Sequence, residues 1–107
     1  MQNPQDMLFR TLADPTRRAI FERLCREGEQ TVGALTARAK ISQPAVSKHL
    51  GILKQAGLVR GRHAGRETHY SPQPGALAPL ADWTIRMAGY WEKRFDDLEA
   101  LLNRMDQ

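Results

Sequence analysis

Residues Thr31 to Gly57 read TVGALTARAKISQPAVSKHLGILKQAG, and this stretch decides the fold. Thr31 can cap a short helix whose Val32, Leu35 and Ala39 turn inward. Lys40-Ile41 is a tight connection. Ser42 then caps a second helix, with Pro44 in the first turn, where its missing N–H breaks no hydrogen bond. Val46, Leu50 and Leu53 recur at four- and three-residue spacing, so they form the buried side of that helix. Gly57 ends it. Two helices joined by a short turn, with Val32, Leu35, Ile41, Val46, Leu50 and Leu53 locking their angle, make a helix-turn-helix. The outward residues of the second helix are Gln43, Pro44, Ser47, Lys48, Gly51, Lys54 and Gln55. They are small, amide or cationic, with no carboxylate among them. Such a side can enter a major groove without charge repulsion: a glutamine amide bonds adenine bidentately, a serine serves several base edges, and a lysine reaches guanine or phosphate. The free N–H groups at the helix start also suit a phosphate. A polar solvent face on a structural helix has the same composition, so the flanking sequence has to choose between the two.

Downstream, Leu58 to Ser71 changes character. Val59, Thr68 and Tyr70 are β-formers, and Ala64-Gly65-Arg66 lies between two short runs as a turn, so the segment reads as a hairpin. A basic hairpin directly after the second helix is a wing, and Arg60, Arg62 and Arg66 on it suit backbone or minor-groove contact. Upstream, Asn3-Pro4 and Asp14-Pro15 each signal a helix start. The first helix carries Met7, Leu8, Leu12 and Ala13 as its apolar stripe. The second turns Ala19, Ile20, Phe21 and Leu24 inward and Arg17, Arg18, Glu22, Arg23 and Arg26 outward. After Pro72 and Pro74, a long helix is expected from Ala76, with a bend near Pro79. Its stripe is Leu77, Leu80, Thr84, Met87, Trp91, Phe95, Leu98, Leu102 and Met105, too long for one small domain to cover. A second copy, joined through a two-fold axis, would bury it together with the first helix. The interface residues expected are Leu8, Leu12, Leu80, Met87, Trp91, Phe95, Leu98 and Leu102.

The expected fold is therefore mainly α with a small β-hairpin: five helices, with a two-stranded wing between the fourth and fifth. The 107 residues form one domain, with the helix-turn-helix at about 31–57, the wing at about 58–71 and a dimerisation helix at about 76–105. Charge supports a polyanion partner. Residues 38–70 hold seven basic side chains and one acidic, net +6, while residues 1–37 are neutral and residues 71–107 carry −2, out of +4 for the chain. A concentrated basic surface is the footprint of a nucleic-acid site. Enzyme chemistry is not expected: there is no nucleophile–base pair and no phosphate-cradling glycine loop, and the adjacent Asp96 and Asp97 point apart. No cofactor or metal is expected either. A single cysteine, Cys25, and three histidines, 49, 63 and 69, do not make a ligand cluster. The opening Met1–Asp6 lacks a basic region followed by an apolar stretch, and no apolar run approaches a membrane span, so a cytoplasmic location without membrane contact is expected.

Ile41-Ser42-Gln43-Pro44-Ala45-Val46-Ser47-Lys48-His49-Leu50 resembles the ArsR-type (ArsR/SmtB) family of bacterial winged-helix repressors. So do Phe9-Arg10-Thr11-Leu12-Ala13-Asp14-Pro15-Thr16-Arg17-Arg18, and Ala56-Gly57-Leu58-Val59 leading into Arg66-Glu67-Thr68-His69-Tyr70. The resemblance implies a homodimer that binds an imperfect inverted repeat and releases it on sensing a signal. It also implies a departure. Metal-sensing members carry Cys-x-Cys-Asp at the start of the third helix, where this chain reads Thr31-Val32-Gly33-Ala34. Others place His and carboxylate ligands on the last helix, where this chain has no His. The chain is similar to the subgroup without metal motifs, and it identifies no small-molecule effector.

The assignment expected is a sequence-specific regulator of double-stranded DNA, with repression implied by the resemblance. Gln43, Pro44, Ser47 and Lys48 read bases; Ser42, His49 and Lys54 hold phosphate; Arg60, Arg62 and Arg66 anchor the wing. Two alternatives remain. The basic face could dock an acidic protein, or Cys25, flanked by Arg23 and Arg26, could act as a redox switch on a repressor.

Overall fold

Among the described residues, proline stands in the first turn of four of the five α-helices, and in three of those four a side-chain cap precedes it. In the computed structural model, which describes residues 3–106, these starts form α1 (Pro4–Ala13), α2 (Pro15–Glu27), α4 (Gln43–Gln55) and α5 (Ala78–Met105). The short α3 (Val32–Arg38) has no proline and starts on Thr31 instead. The caps are formed: Asn3, Asp14, Thr31 and Ser42 accept from the backbone N–H groups of Gln5, Arg17, Ala34 and Ala45 at 2.9, 2.9, 3.0 and 3.3 Å. Each satisfies a donor that the helix itself cannot.

The sheet has three strands rather than the expected two. β1 (Gln30–Thr31), β2 (Val59–Ala64) and β3 (Glu67–Pro72) are ordered β1-β3-β2, all antiparallel. β2 and β3 form the hairpin between α4 and α5, turning through Gly65-Arg66. Gly65 has φ +64°, as the first position of a tight hairpin turn of the II′ kind requires. The two-residue β1 pairs Gln30 with Tyr70 and Thr31 with His69, and so ties the α2–α3 connection to the hairpin.

The hairpin leaves α4 at a fixed angle. Gly57, at φ +79°, follows the last turn of α4. Its N–H reaches the Lys54 carbonyl at 3.0 Å, and the Leu58 N–H reaches the Leu53 carbonyl at 3.0 Å. This is a Schellman closure, with Leu53 and Leu58 as its apolar contact, both without exposed surface.

The core is Leu8, Ile20, Phe21, Leu24, Leu35, Val46, Leu50, Leu53, Leu58 and Val59, drawn from α1, α2, α3, α4, β2 and, for Leu58, the α4–β2 junction. Each such side chain contributes about 1.5–3 kcal/mol of burial. Leu8 is corrected here. Expected at a dimer interface, it is 3% exposed and belongs to the protomer's own core, so it has almost no surface left for another chain. Ala19, expected inward, is exposed.

A 3₁₀ turn (Pro74–Leu77) precedes α5, which starts at Ala78 rather than Ala76; Pro79 sits in the first turn and is not the site of a bend. Leu77 and Leu80 pack on the core, and Trp83 meets Phe9 edge-on at 5.0 Å. From Ala88 onward every described residue of α5 is exposed. A compact domain of this length has a radius of gyration near 13 Å. This chain has 19.8 Å and a longest extent of 74 Å, because α5 projects away from the rest.

Candidate nucleic-acid interface

α4 has two sides, set by its 3.6-residue period. Val46, Leu50 and Leu53 have no exposed surface. Ser42, Gln43, Pro44, Ser47, Lys48, Gly51, Lys54 and Gln55 are all exposed. The candidate base-reading and phosphate residues of this helix therefore lie together on one open side, with no acidic side chain on the same helix. His49 lies apart from them. It is half-buried, and its Nδ1 is buried without a hydrogen-bond partner among the described residues. Only its other ring nitrogen remains for a phosphate.

The hairpin's arginines separate. Arg60 and Arg66 are exposed and make no ion pair among the described residues. Arg62 is engaged within the protein: its Nη2 and Nε donate to Glu29 at 3.0 and 3.3 Å. Arg62, expected as a wing contact, is thus paired within the protein, with its side chain still 58% exposed. β1 brings Glu29 against the hairpin, a contact 33 residues apart in sequence. Ser71 Oγ also donates to Glu29, at 3.2 Å, and His69 Nδ1 lies 3.9 Å away. The Arg62 hydrogen bond, followed by that of Ser71, holds the Glu29 carboxyl below its ordinary pKa. Glu29 is the residue the sequence reading missed. Its signal, one acidic residue before the two-residue strand Gln30–Thr31, is too weak to stand out.

The same sheet explains Gly61. It faces Tyr70 across the β2–β3 ladder, and a Cβ there would come within 3.2 Å of the Tyr70 ring. The glycine leaves room for that ring, and Tyr70 packs on the core. His63 Nδ1 pairs with Thr68 Oγ1 at 3.1 Å.

Two features weigh against a redox switch at Cys25. Arg23 turns away from it, donating to Glu27 at 2.9 Å and to the carbonyls of Ala34 and Leu35 at 3.2 and 3.4 Å. Desolvation, with the Glu22 carboxylate nearby, pushes the thiol of the exposed Cys25 above its ordinary pKa, the opposite of activation. Among the described residues no three His, Cys, Asp or Glu side chains come together to hold a metal ion. No described helix is long and apolar enough to cross a membrane.

The helix-turn-helix domain family matches residues 12–62. The chain is 44% identical over 90 residues to the HTH-type transcriptional regulator Rv2034 of Mycobacterium tuberculosis, covering 79% of this chain and 83% of that protein. It is 35% identical over 78 residues to the transcriptional repressor SdpR of Bacillus subtilis, covering 73% and 86%. An ArsR-like transcriptional regulator from Rhodococcus sp. RHA1 superposes with a TM-score of 0.74 at 30% identity, over 92% of each chain. The chain belongs to the ArsR/SmtB family. As an ArsR/SmtB protein it is a DNA-binding transcriptional regulator and not an enzyme. The matched stretch contains α3 and α4, the two helices joined by the short turn.

Proposed function

We propose that this ArsR/SmtB protein is a homodimeric repressor that sets two α4 helices into successive major grooves of an inverted-repeat operator. The carboxylate-free open side of α4 carries this reading. Gln43, Pro44, Ser47 and Lys48 read base edges, while Ser42, Lys54 and the outer nitrogen of His49 hold phosphate. Arg60 and Arg66 reach the backbone or minor groove from the hairpin. Arg62, the third wing arginine, is paired with Glu29, which helps to fix the hairpin's attitude.

Pairing rests on α5. Trp91, Phe95, Leu98, Leu102 and Met105 are 58, 65, 50, 52 and 72% exposed along a single stripe. A monomer rarely leaves so large a contiguous apolar surface in water. A second copy burying the two stripes, with Leu12, Leu80 and Met87 at their near end, supports a two-fold axis. Two recognition helices then lie about 34 Å apart, one turn of DNA. Repression is supported by relatives named as repressors.

Selection of bound sites from random duplexes tests this reading. The expected result is an inverted repeat with half-sites about one helical turn apart. Enrichment of a single unrepeated half-site, or of nothing, would overturn it. Sedimentation at micromolar concentration should give a dimer.

A further inference from the structure

We propose that the groove between α2, α3 and the α3–α4 turn binds an amphipathic monoanion, such as a medium-chain carboxylate, and that its occupation weakens DNA binding. The site half of this proposal stands on the structure; the regulatory half rests on the DNA-binding reading above.

The groove has a volume of about 450 Å³, within the range of small-molecule sites. Its floor is apolar: Ile20 and Leu35, with Ala19, Ala39 and Ile41 beside them. Its rim carries four cations, Arg23, Arg26, Arg38 and Lys40, and no carboxylate lines it. Glu27, outside the groove, neutralises two of them at once, pairing with Arg23 at 2.9 Å and Arg38 at 2.6 Å. Arg26 and Lys40 are exposed and have no ion-pair partner among the described residues. An apolar slot with uncompensated cations at its mouth asks for two things in one molecule: a hydrocarbon body for the floor and a negative head for the rim. A simple anion gains nothing from Ile20 and Ile41, and a neutral apolar molecule gains nothing from Arg26 and Lys40. A DNA phosphate has no apolar body to place there.

The position gives the site leverage. One wall is the segment Ala39-Lys40-Ile41, whose two apolar members pack on the core and set the angle between α3 and α4. Lys40 stands two residues before Ser42, the cap of α4. A carboxylate held by Lys40 puts negative charge beside the helix start that a DNA phosphate has to approach, and an alkyl chain beneath it leans on the turn. Both effects oppose DNA binding.

The test has two arms. In the first, decanoate is titrated into the full-length protein by calorimetry and by ¹⁵N amide NMR, with decanol and butyrate as controls. One decanoate per protomer is expected, moving the amides of Ala19, Ala39 and Ile41, with both controls at least ~10-fold weaker because each lacks one of the two recognition elements. Arg26→Gln should weaken decanoate ~10-fold without affecting decanol. Ala19→Trp, a surface change that fills the slot, should abolish binding. Decanoate that leaves those amides unmoved and perturbs α5 around Trp91 instead overturns the site. In the second arm, anisotropy of a selected operator duplex should show a ~10-fold loss of affinity at saturating decanoate in the wild type and none in Ala19→Trp. Decanoate bound in the groove with unchanged operator affinity overturns the regulatory half. Failure to select any operator strikes the DNA-binding reading and leaves the first arm intact.

Discussion

Two substitutions two residues apart on α4 should behave as opposites. Leu50 has no exposed surface and sits in the middle of the core, whereas Lys48 is exposed on the open side. Leu50→Ala deletes three buried carbons, worth about 2.4 kcal/mol at ~0.8 kcal/mol each. The cavity left behind adds to this, and comparable core truncations cost about 2.7–5 kcal/mol in total. Taking about 3.5 kcal/mol, and a shift of roughly 4–8 °C per kcal/mol for a domain near this size, the Tm should fall by about 14–28 °C. That is a large part of the 5–15 kcal/mol that holds such a domain together. Lys48→Ala removes no packing, so it should move stability by no more than about 0.5 kcal/mol. Its effect belongs to DNA: about 1–3 kcal/mol lost on the operator, with a smaller loss on random duplex. The assays are circular-dichroism melts at one fixed protein concentration, since a dimer's Tm depends on it, and anisotropy titration with both duplexes. Equal melting losses for the two variants, or a greater loss for Lys48→Ala, would mean that α4 is rotated about its axis from the orientation described, and the proposed interface would fall with it.

The double change Gln43→Ala and Ser47→Ala should cost roughly 2–5 kcal/mol on the operator with little change on random DNA, read by the same titrations; equal losses on both would remove the base-reading assignment. Leu98→Glu, placing a charge in the exposed α5 stripe, should turn the proposed dimer into a folded monomer at micromolar concentration by sedimentation, with the circular-dichroism spectrum retained. Stability should fall on acidification. Asp14, Glu27 and Glu29 have folded-state pKa values held below their ordinary values of 3.8, 4.5 and 4.5, so the stability they contribute is fully present above that range and is lost as pH drops through the depressed values. Glu29→Gln should flatten the dependence of Tm on pH in that acid window while leaving the neutral-pH spectrum unchanged. With its thiol pushed upward, Cys25 should react with iodoacetamide no faster than free cysteine at pH 7.5, and peroxide should leave operator affinity unchanged; a faster-reacting thiol would revive the redox alternative.

Much of the fold was legible because its signals are local. A cap residue with a following proline, an apolar residue every third or fourth position, and a glycine at a turn all act within a few residues of chain. They suffice to set where α1, α2, α4 and the β2–β3 hairpin begin and end. The open side of α4 was legible for the same reason: once Val46, Leu50 and Leu53 face the core, the helical period leaves Gln43, Ser47 and Lys48 outside. What the sequence could not decide depends on groups that meet from far along the chain. β1 exists only because β3 offers it a ladder, and Glu29 captures Arg62 across 33 residues. Leu8 and Leu12 lie one helical turn apart on α1, yet only Leu8 is sealed into the core, a choice made by where α2 and α5 come to rest against that helix. The apolar groove beside Lys40 is likewise made by three elements at once. Local chemistry sets which residues can form an element and which way each side chain leaves it; only packing in three dimensions decides which of those side chains are already occupied and which remain for a partner.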